Sequence, residues 1–183
     1  ELGAGNKSFD MRILMDTVDS DVAPMIDLQR ASVTLIDNVI DKQDSSSTSG
    51  FNVPLSFVNE TSASGGSAAA KHLTKIITLE NDAVGLKILL SANRPNGTDF
   101  QLFFRTGTSD EILSDKSFTL QQPETVLPTD DNDTIFREYR YLIGGQNGVL
   151  PAFTKFQAKI VFRSINSAKV PRIKDLRIIA LSV

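Results

Sequence analysis

The sequence contains no cysteine, no tryptophan and a single histidine, and these absences exclude several classes of site. Without cysteine the chain has no disulfide framework, no thiolate zinc site and no cysteine nucleophile. Any Ser-His-Asp arrangement would have to use His72, which follows Lys71 at the entrance to a predicted strand, so we interpret it as a surface histidine. A zinc site would need carboxylates for its other ligands, an uncommon arrangement. We therefore predict no catalytic residues, no metal and no cofactor.

Long apolar runs are also missing. No stretch approaches the ~18 uninterrupted apolar residues of a membrane-spanning helix, and the N-terminus lacks the sections of a signal peptide. We expect a soluble protein without membrane contact. The first residue is Glu1, which predicts a fragment of a larger protein or a processed product. A chain of 183 residues suits one domain, residues 1–183.

The alternation of apolar and polar residues predicts an all-β chain. Strands are expected at residues 9–17, 31–36, 53–58, 73–79, 84–92, 99–106, 136–143, 154–163 and 172–183. With this many short strands and no helix, we predict an antiparallel β-sandwich of jelly-roll kind. A helix over residues 25–40 is the alternative for the second strand, but its β-branched content favours a strand. Within residues 73–106, short turns predict three strands that pair in sequence.

The last thirty residues predict two long strands joined by one polar loop. In the first strand Phe162 falls on the apolar face, expected in the core, and Lys159 on the polar face, expected in water. The second strand is apolar on both faces from Leu176 to Val183, which predicts a central strand with Ile178 in the core.

Residues 44–70 are rich in serine, glycine, threonine and alanine. Such a composition buries little apolar surface, and long insertions of this kind are either mobile or docked on a neighbour. We therefore predict a flexible Ser/Gly-rich insertion at residues 44–70.

Charge is distributed unevenly along the chain. Residues 107–133 carry seven acids against one lysine, whereas residues 134–183 carry nine bases against two acids. We interpret these as solvated regions that partly neutralise one another, with complementary contact between neighbouring copies as the alternative. The pI of about 5.2 argues against nucleic-acid binding.

Asp130, Asp131 and Asp133 form an oxygen-rich cluster that could hold calcium, but the EF-hand pattern is absent, which favours an unliganded acidic turn.

Four stretches of the chain carry a resemblance to a known family. Residues 79–105, the FREY sequence from Phe136 to Tyr139, and residues 153–181 resemble a module repeated in large virion proteins of contractile-tailed bacteriophages, notably those of marine cyanobacteria. Residues 2–41 are similar to the segment that precedes this module. The resemblance implies a structural role in the virion, in the tail, baseplate or fibre region, with other tail subunits or copies of the chain as partners.

The function expected from this resemblance is non-enzymatic assembly of subunits. The first alternative is a carbohydrate- or receptor-binding sandwich at a tail fibre, with a host glycan as ligand. Such modules present exposed aromatic rings to sugars, and the chain offers only Tyr139 and Tyr141 besides its phenylalanines. The other alternative, a polysaccharide-degrading enzyme, needs a carboxylate pair that no local motif selects.

Overall fold

The chain divides into two units, Glu1–Leu35 and Ile36–Val183. The computed structural model describes residues 12–19, 21, 23–27, 40, 59–144, 150–166 and 168–182. The described residues of the first unit contain neither helix nor strand. The strand predicted at 9–17 is therefore wrong over its described part, residues 12–17, whose side chains are exposed. Alternation alone does not make a strand, because a strand also needs a partner for its backbone.

Several predicted elements lie outside the described residues. They are the strands at 31–36 and 53–58 and most of the alternative helix at 25–40.

The second unit contains eight strands in the part of the chain that the structure describes. They are β1 (Lys71–Leu73), β2 (Ile77–Ala83), β3 (Gly85–Asn93), β4 (Thr98–Gly107), β5 (Thr119–Gln121), β6 (Arg137–Ile143), β7 (Phe153–Ser164) and β8 (Arg172–Leu181).

Two antiparallel sheets pack together, which confirms the predicted all-β sandwich. In the larger sheet the strand order is β1-β7-β4-β5, and β2 pairs with β7. In the smaller sheet β3 lies between β6 and β8. One 3-10 turn, Leu113–Asp115, is the single helical element among the described residues, and it is too short to cross a membrane.

The core lies between the sheets and is built from the inward-facing residues of each strand. The smaller sheet contributes Leu86, Ile88 and Leu90 from β3, which are at most 1% exposed. The aromatic rings are shared between the sheets, and Phe100 of β4 meets Tyr139 of β6 edge to face at 4.9 Å. The core therefore joins both sheets through apolar and aromatic contacts.

Pairing between strands differs from the sequence prediction. The strands within residues 73–106 do not pair in sequence, because β2 and β4 pair with β7 while β3 pairs with β6 and β8. The chain passes from one sheet to the other at Val84 and again at residues 94–97, so the short connections are corners of the sandwich.

The apolar strand β8 is an end strand of its sheet within the described residues, so its predicted central position is wrong. Its inner residues pack on the core while Ile179 on the outer face is 46% exposed. A register shift opposite Leu90 places Asp175 at φ 55°, which is the geometry of a β-bulge. Phe162 and Ile178 pack against the core but are only half-buried.

The strand buried on both faces is β7. Residues 59–70 and the loop before β5 cover the outer face of β4 and β7, where Phe103, Phe118 and Val161 form a second apolar cluster. The segment is fixed by backbone hydrogen bonds, including Phe118 N to the Thr61 carbonyl at 2.8 Å. Of the predicted flexible insertion at 44–70, residues 44–58 lie outside the described part, whereas 59–70 pack on the sheet.

Candidate functional site

A buried ion pair lies between the larger sheet and the segment that covers it. Lys159, predicted to face water, is 0% exposed, and its partner Glu60 is 3% exposed. The Lys159 ammonium donates to Glu60 Oε2 at 2.8 Å, to the Glu60 carbonyl at 2.5 Å and to the Gly65 carbonyl at 2.9 Å. Its three protons thus have three acceptors, all in the covering segment.

Aromatic rings complete the surroundings of this ammonium group. Its nitrogen lies 4.5 Å from the ring centre of Phe118 and 4.9 Å from that of Phe103, which is within cation–π distance. Burial lowers the pKa of Lys159, while the hydrogen bond and the charge of Glu60 oppose that effect. The Glu60 carboxylate therefore offsets the free-energy cost of removing the Lys159 ammonium from water.

A second buried cation, Arg105, binds the neighbouring loop. Its Nε and Nη2 donate to Gln157 Oε1 at 3.0 and 2.6 Å, and its Nη1 donates to three backbone carbonyls between 3.0 and 3.2 Å away. The guanidinium carbon lies 4.3 Å from the ring centre of Phe118. Burial lowers the pKa of Arg105, and the charge of Asp115 opposes this. Lys159 and Arg105 thus bind backbone carbonyls of residues 59–70 and of the loop before β5. These hydrogen bonds fix both segments on the outer face of the larger sheet.

Glycine is required where the chain passes Glu60. Gly66 has φ +75°, and a Cβ added there would lie 2.3 Å from the Glu60 carboxyl carbon. The carboxylate occupies this space because its Oε1 also accepts a hydrogen bond from Ala68 N at 2.7 Å. Gly65 has a similar φ of +93°, but a Cβ there would meet no atom within 4 Å.

The acidic cluster is paired within its own unit. Asp130 binds Arg137 at 2.9 Å, and two further pairs, Asp131 with Lys169 and Asp133 with Arg172, connect the loop to basic residues near β8 at 2.5 and 3.3 Å. No group of three or more metal-binding side chains occurs in the part of the chain that the structure describes. Basic side chains of the same unit therefore neutralise the charges of these three carboxylates.

The other residues considered for binding fall in different places. His72 lies on β1, exposed, beside an open groove. Tyr139 and Tyr141 are 3% and 2% exposed, so neither presents an open ring for stacking on a surface sugar. Arg94 forms a partly exposed ion pair with Asp99 at 3.2 Å.

One side of the sandwich, where β1 and β2 lie across from β8, is here termed the open side. Among the described residues these three strands pair along one edge only. A groove of about 340 Å³ opens between the sheets, and its walls are mostly apolar, with Ile160 and Phe162 on β7 and Ile173 and Leu176 on β8. On β1, β2 and the residues between them, Leu73, Ile76 and Ile77 are between 41% and 45% exposed. The open side therefore combines unpaired strand edges with apolar side chains.

No protein-family model matches the chain, and the searches of curated proteins and of solved structures also give no match.

Proposed function

We propose that the chain is a non-enzymatic structural module of a bacteriophage virion, in the tail, baseplate or fibre region, which assembles with other copies of itself. The resemblance of residues 79–105 and 153–181 to virion proteins supports the setting. The open side is the observation that carries the assembly role, because exposed apolar side chains beside strand edges that no described residue pairs with are typical of protein interfaces.

The geometry of the open side favours an extended segment as its occupant. A peptide that adds to a sheet edge bonds through its backbone and inserts alternate side chains into pockets. The seven-residue strand β2 and the ten-residue strand β8 supply such edges. The groove between the sheets supplies the apolar pocket.

The proposed occupant is residues 12–17 of a neighbouring copy. This segment has the sequence pattern of a strand but lies exposed, and no strand among the described residues pairs with it. Ile13, Leu14 and Met15 are 45%, 77% and 58% exposed. As a strand, six residues would span about 20 Å, which is enough to run along β2. Pairing with another copy would bury these side chains and satisfy both backbones.

Sedimentation velocity of the full chain over a range of concentrations tests the proposal. We expect reversible oligomers, and we expect the double variant Ile13→Asp with Met15→Asp to be monomeric, because charged side chains cannot enter an apolar groove without a large desolvation penalty. Ile77→Asp, at the open side, should have the same effect.

Matched controls use the same substitution at exposed apolar residues outside both surfaces. Val18→Asp lies just beyond the predicted strand, and Ile112→Asp lies in the loop before β5; they are 108% and 67% exposed. Both should associate like the unmodified chain. A chain that stays monomeric at all concentrations, or association that all four variants weaken alike, refutes the proposed occupant.

A further inference from the structure

The edge of the larger sheet at the open side carries opposite charges along its length. β1 and β2 both pair with β7, so they follow one another along the edge of that strand. Exposed Lys71 and Lys75 form the basic half of this edge, and exposed Glu80 and Asp82 form its acidic half. The apolar Ile77 lies between the two halves. A strand that adds here therefore meets a different charge at each end.

Neighbouring side chains do not neutralise the charges of this edge. None of its four charged residues forms an ion pair in the part of the chain that the structure describes. Lys71 donates to the Gly65 and Gly66 carbonyls at 3.2 and 2.8 Å, and these acceptors carry no net charge. Across the groove, β8 contributes Lys174 and Asp175, whose charges cancel. The edge therefore presents its full charge pattern to a partner.

The segment proposed to dock here, with the residues that follow it, has the complementary pattern. Arg12 precedes its apolar residues, and Asp16, Asp19 and Asp21 follow them. All four charged side chains are exposed, and none of them forms an ion pair with another described residue. The carboxylates of Asp16 and Asp19 accept hydrogen bonds from nearby backbone N–H groups, which leave their charge in place. The segment is thus basic at its start and acidic at its end.

These charges select one direction for strand addition. We propose that residues 12–17 of a neighbouring copy add to β2 in the antiparallel direction, with Met15 opposite Ile77. In that register Arg12 lies opposite Glu80, and opposite charges on paired residues of neighbouring strands attract one another. This inference rests on the proposed assembly role, whose apolar contacts fit either direction.

The residues after the apolar part of the segment favour the same direction. In the antiparallel register Asp16 lies within one residue of Lys75, and Asp19 continues into the basic half. A parallel register with the same central contact brings Arg12 to the basic half and Asp19 to the acidic half. Like charges then meet at both ends, which destabilises strand pairing. Charges interact over about 8 Å at physiological salt, so each end contributes.

Disulfide formation between separately prepared variants tests the direction. Thr17→Cys is mixed with Ile76→Cys or with Asn81→Cys and oxidised, and none of these substitutions changes a charge. Both partner positions are exposed. The antiparallel register places Thr17 beside Ile76 but about 20 Å along the edge from Asn81. We therefore expect the mixed dimer with Ile76→Cys to form at least about tenfold faster, because a disulfide needs Cα atoms within about 7 Å.

Sedimentation velocity of charge-reversed chains tests the physical cause of the direction. Glu80→Lys with Asp82→Lys should raise the Kd for association at least about fivefold, because modest attractions become repulsions. Arg12→Glu added to the same chain should restore most of the association. The matched control is Asp110→Lys with Glu124→Lys, which reverses two exposed acids in the connections on either side of β5, at the opposite edge of the larger sheet. This control should associate like the unmodified chain.

The outcomes separate the direction from the assembly role. Equal rates of disulfide formation, or a faster dimer with Asn81→Cys, overturn the antiparallel direction and leave the assembly role in place. Association that Glu80→Lys with Asp82→Lys does not weaken, that Arg12→Glu does not restore, or that the control weakens equally, overturns the electrostatic selection. A chain that stays monomeric and forms neither mixed dimer overturns both proposals.

Discussion

Replacing Lys159 by methionine should remove a large part of the stability of the second unit. The substitution keeps most of the side-chain length but leaves the Glu60 carboxylate buried without its cation, although the hydrogen bond from Ala68 N remains. The Glu60 carbonyl also loses its donor. Removing one partner of a buried ion pair costs ~3–5 kcal/mol, because the other charge stays desolvated and unpaired. Since a domain is stable by only ~5–15 kcal/mol, the change should be plain in denaturant unfolding.

Lys155→Met is the matched control, because Lys155 lies on the same face of β7 four residues earlier. Its ammonium donates to the Ser109 carbonyl at 2.6 Å and the Glu111 carbonyl at 3.2 Å, and no carboxylate among the described residues pairs with it. Its acceptors are neutral and partly exposed, so its loss should cost no more than ~1.5–3 kcal/mol, the range for hydrogen bonds of a charged group. If Lys159→Met lowers the free energy of unfolding by no more than the control does, the buried position of the ion pair is refuted.

The double variant Lys159→Met with Glu60→Leu distinguishes lost charge balance from lost packing. Replacing both partners of a buried pair by apolar residues is often neutral or stabilising. We expect the double variant to be more stable than Lys159→Met alone, with a coupling energy of ~1–3 kcal/mol between the two sites. Additive losses would show that the two side chains do not interact.

Two further predictions follow from single features of the fold. Gly66→Ala should destabilise the protein by ~1–3 kcal/mol more than Gly65→Ala in denaturant unfolding, because both positions have positive φ but only the first would overlap Glu60; equal losses would place the carboxylate elsewhere. In an alkaline titration, burial raises the pKa of both Tyr139 and Tyr141 above 10.0, so the unfolded chain loses its phenol protons first and stability falls as the pH rises past 10. Tyrosinate absorbance should therefore appear together with the loss of circular dichroism, and ionisation near pH 10 in a chain that stays folded contradicts this.

The sequence was sufficient to predict the strands β3, β4 and β6 and the fold class. Alternating apolar residues bounded by turn residues predicted β3, β4 and β6 to within about a residue, because each strand packs one face on the core. The three-residue strand β5 was missed, since it lies within an acidic loop and owes its strand geometry to pairing with β4. Which strands pair depends on contacts far apart in sequence, and local alternation contains no such information.

The buried ion pair of Lys159 and Glu60 was not predicted, because each residue by itself has the sequence pattern of a solvent-facing side chain. A lysine on the polar face of an alternating strand is usually exposed, and Glu60 lies in a stretch whose composition suggests flexibility. A signal was nevertheless present, since Phe103 and Val161 occupy that supposed polar face. Apolar residues on the outer faces of two strands indicate that another layer covers them. The residues that form this layer could not be identified without the structure.

The most direct test of the assembly role uses the absence of cysteine from the chain. Two single variants, Met15→Cys and Ile77→Cys, are prepared separately, mixed and oxidised, so that a mixed disulfide can form only between copies. We expect a mixed dimer that forms faster and in higher yield than the one from Val18→Cys mixed with Ile112→Cys, because only the first pair is brought together by strand addition at the open side. Equal yields from the two mixtures, or no mixed dimer from the first, would contradict it.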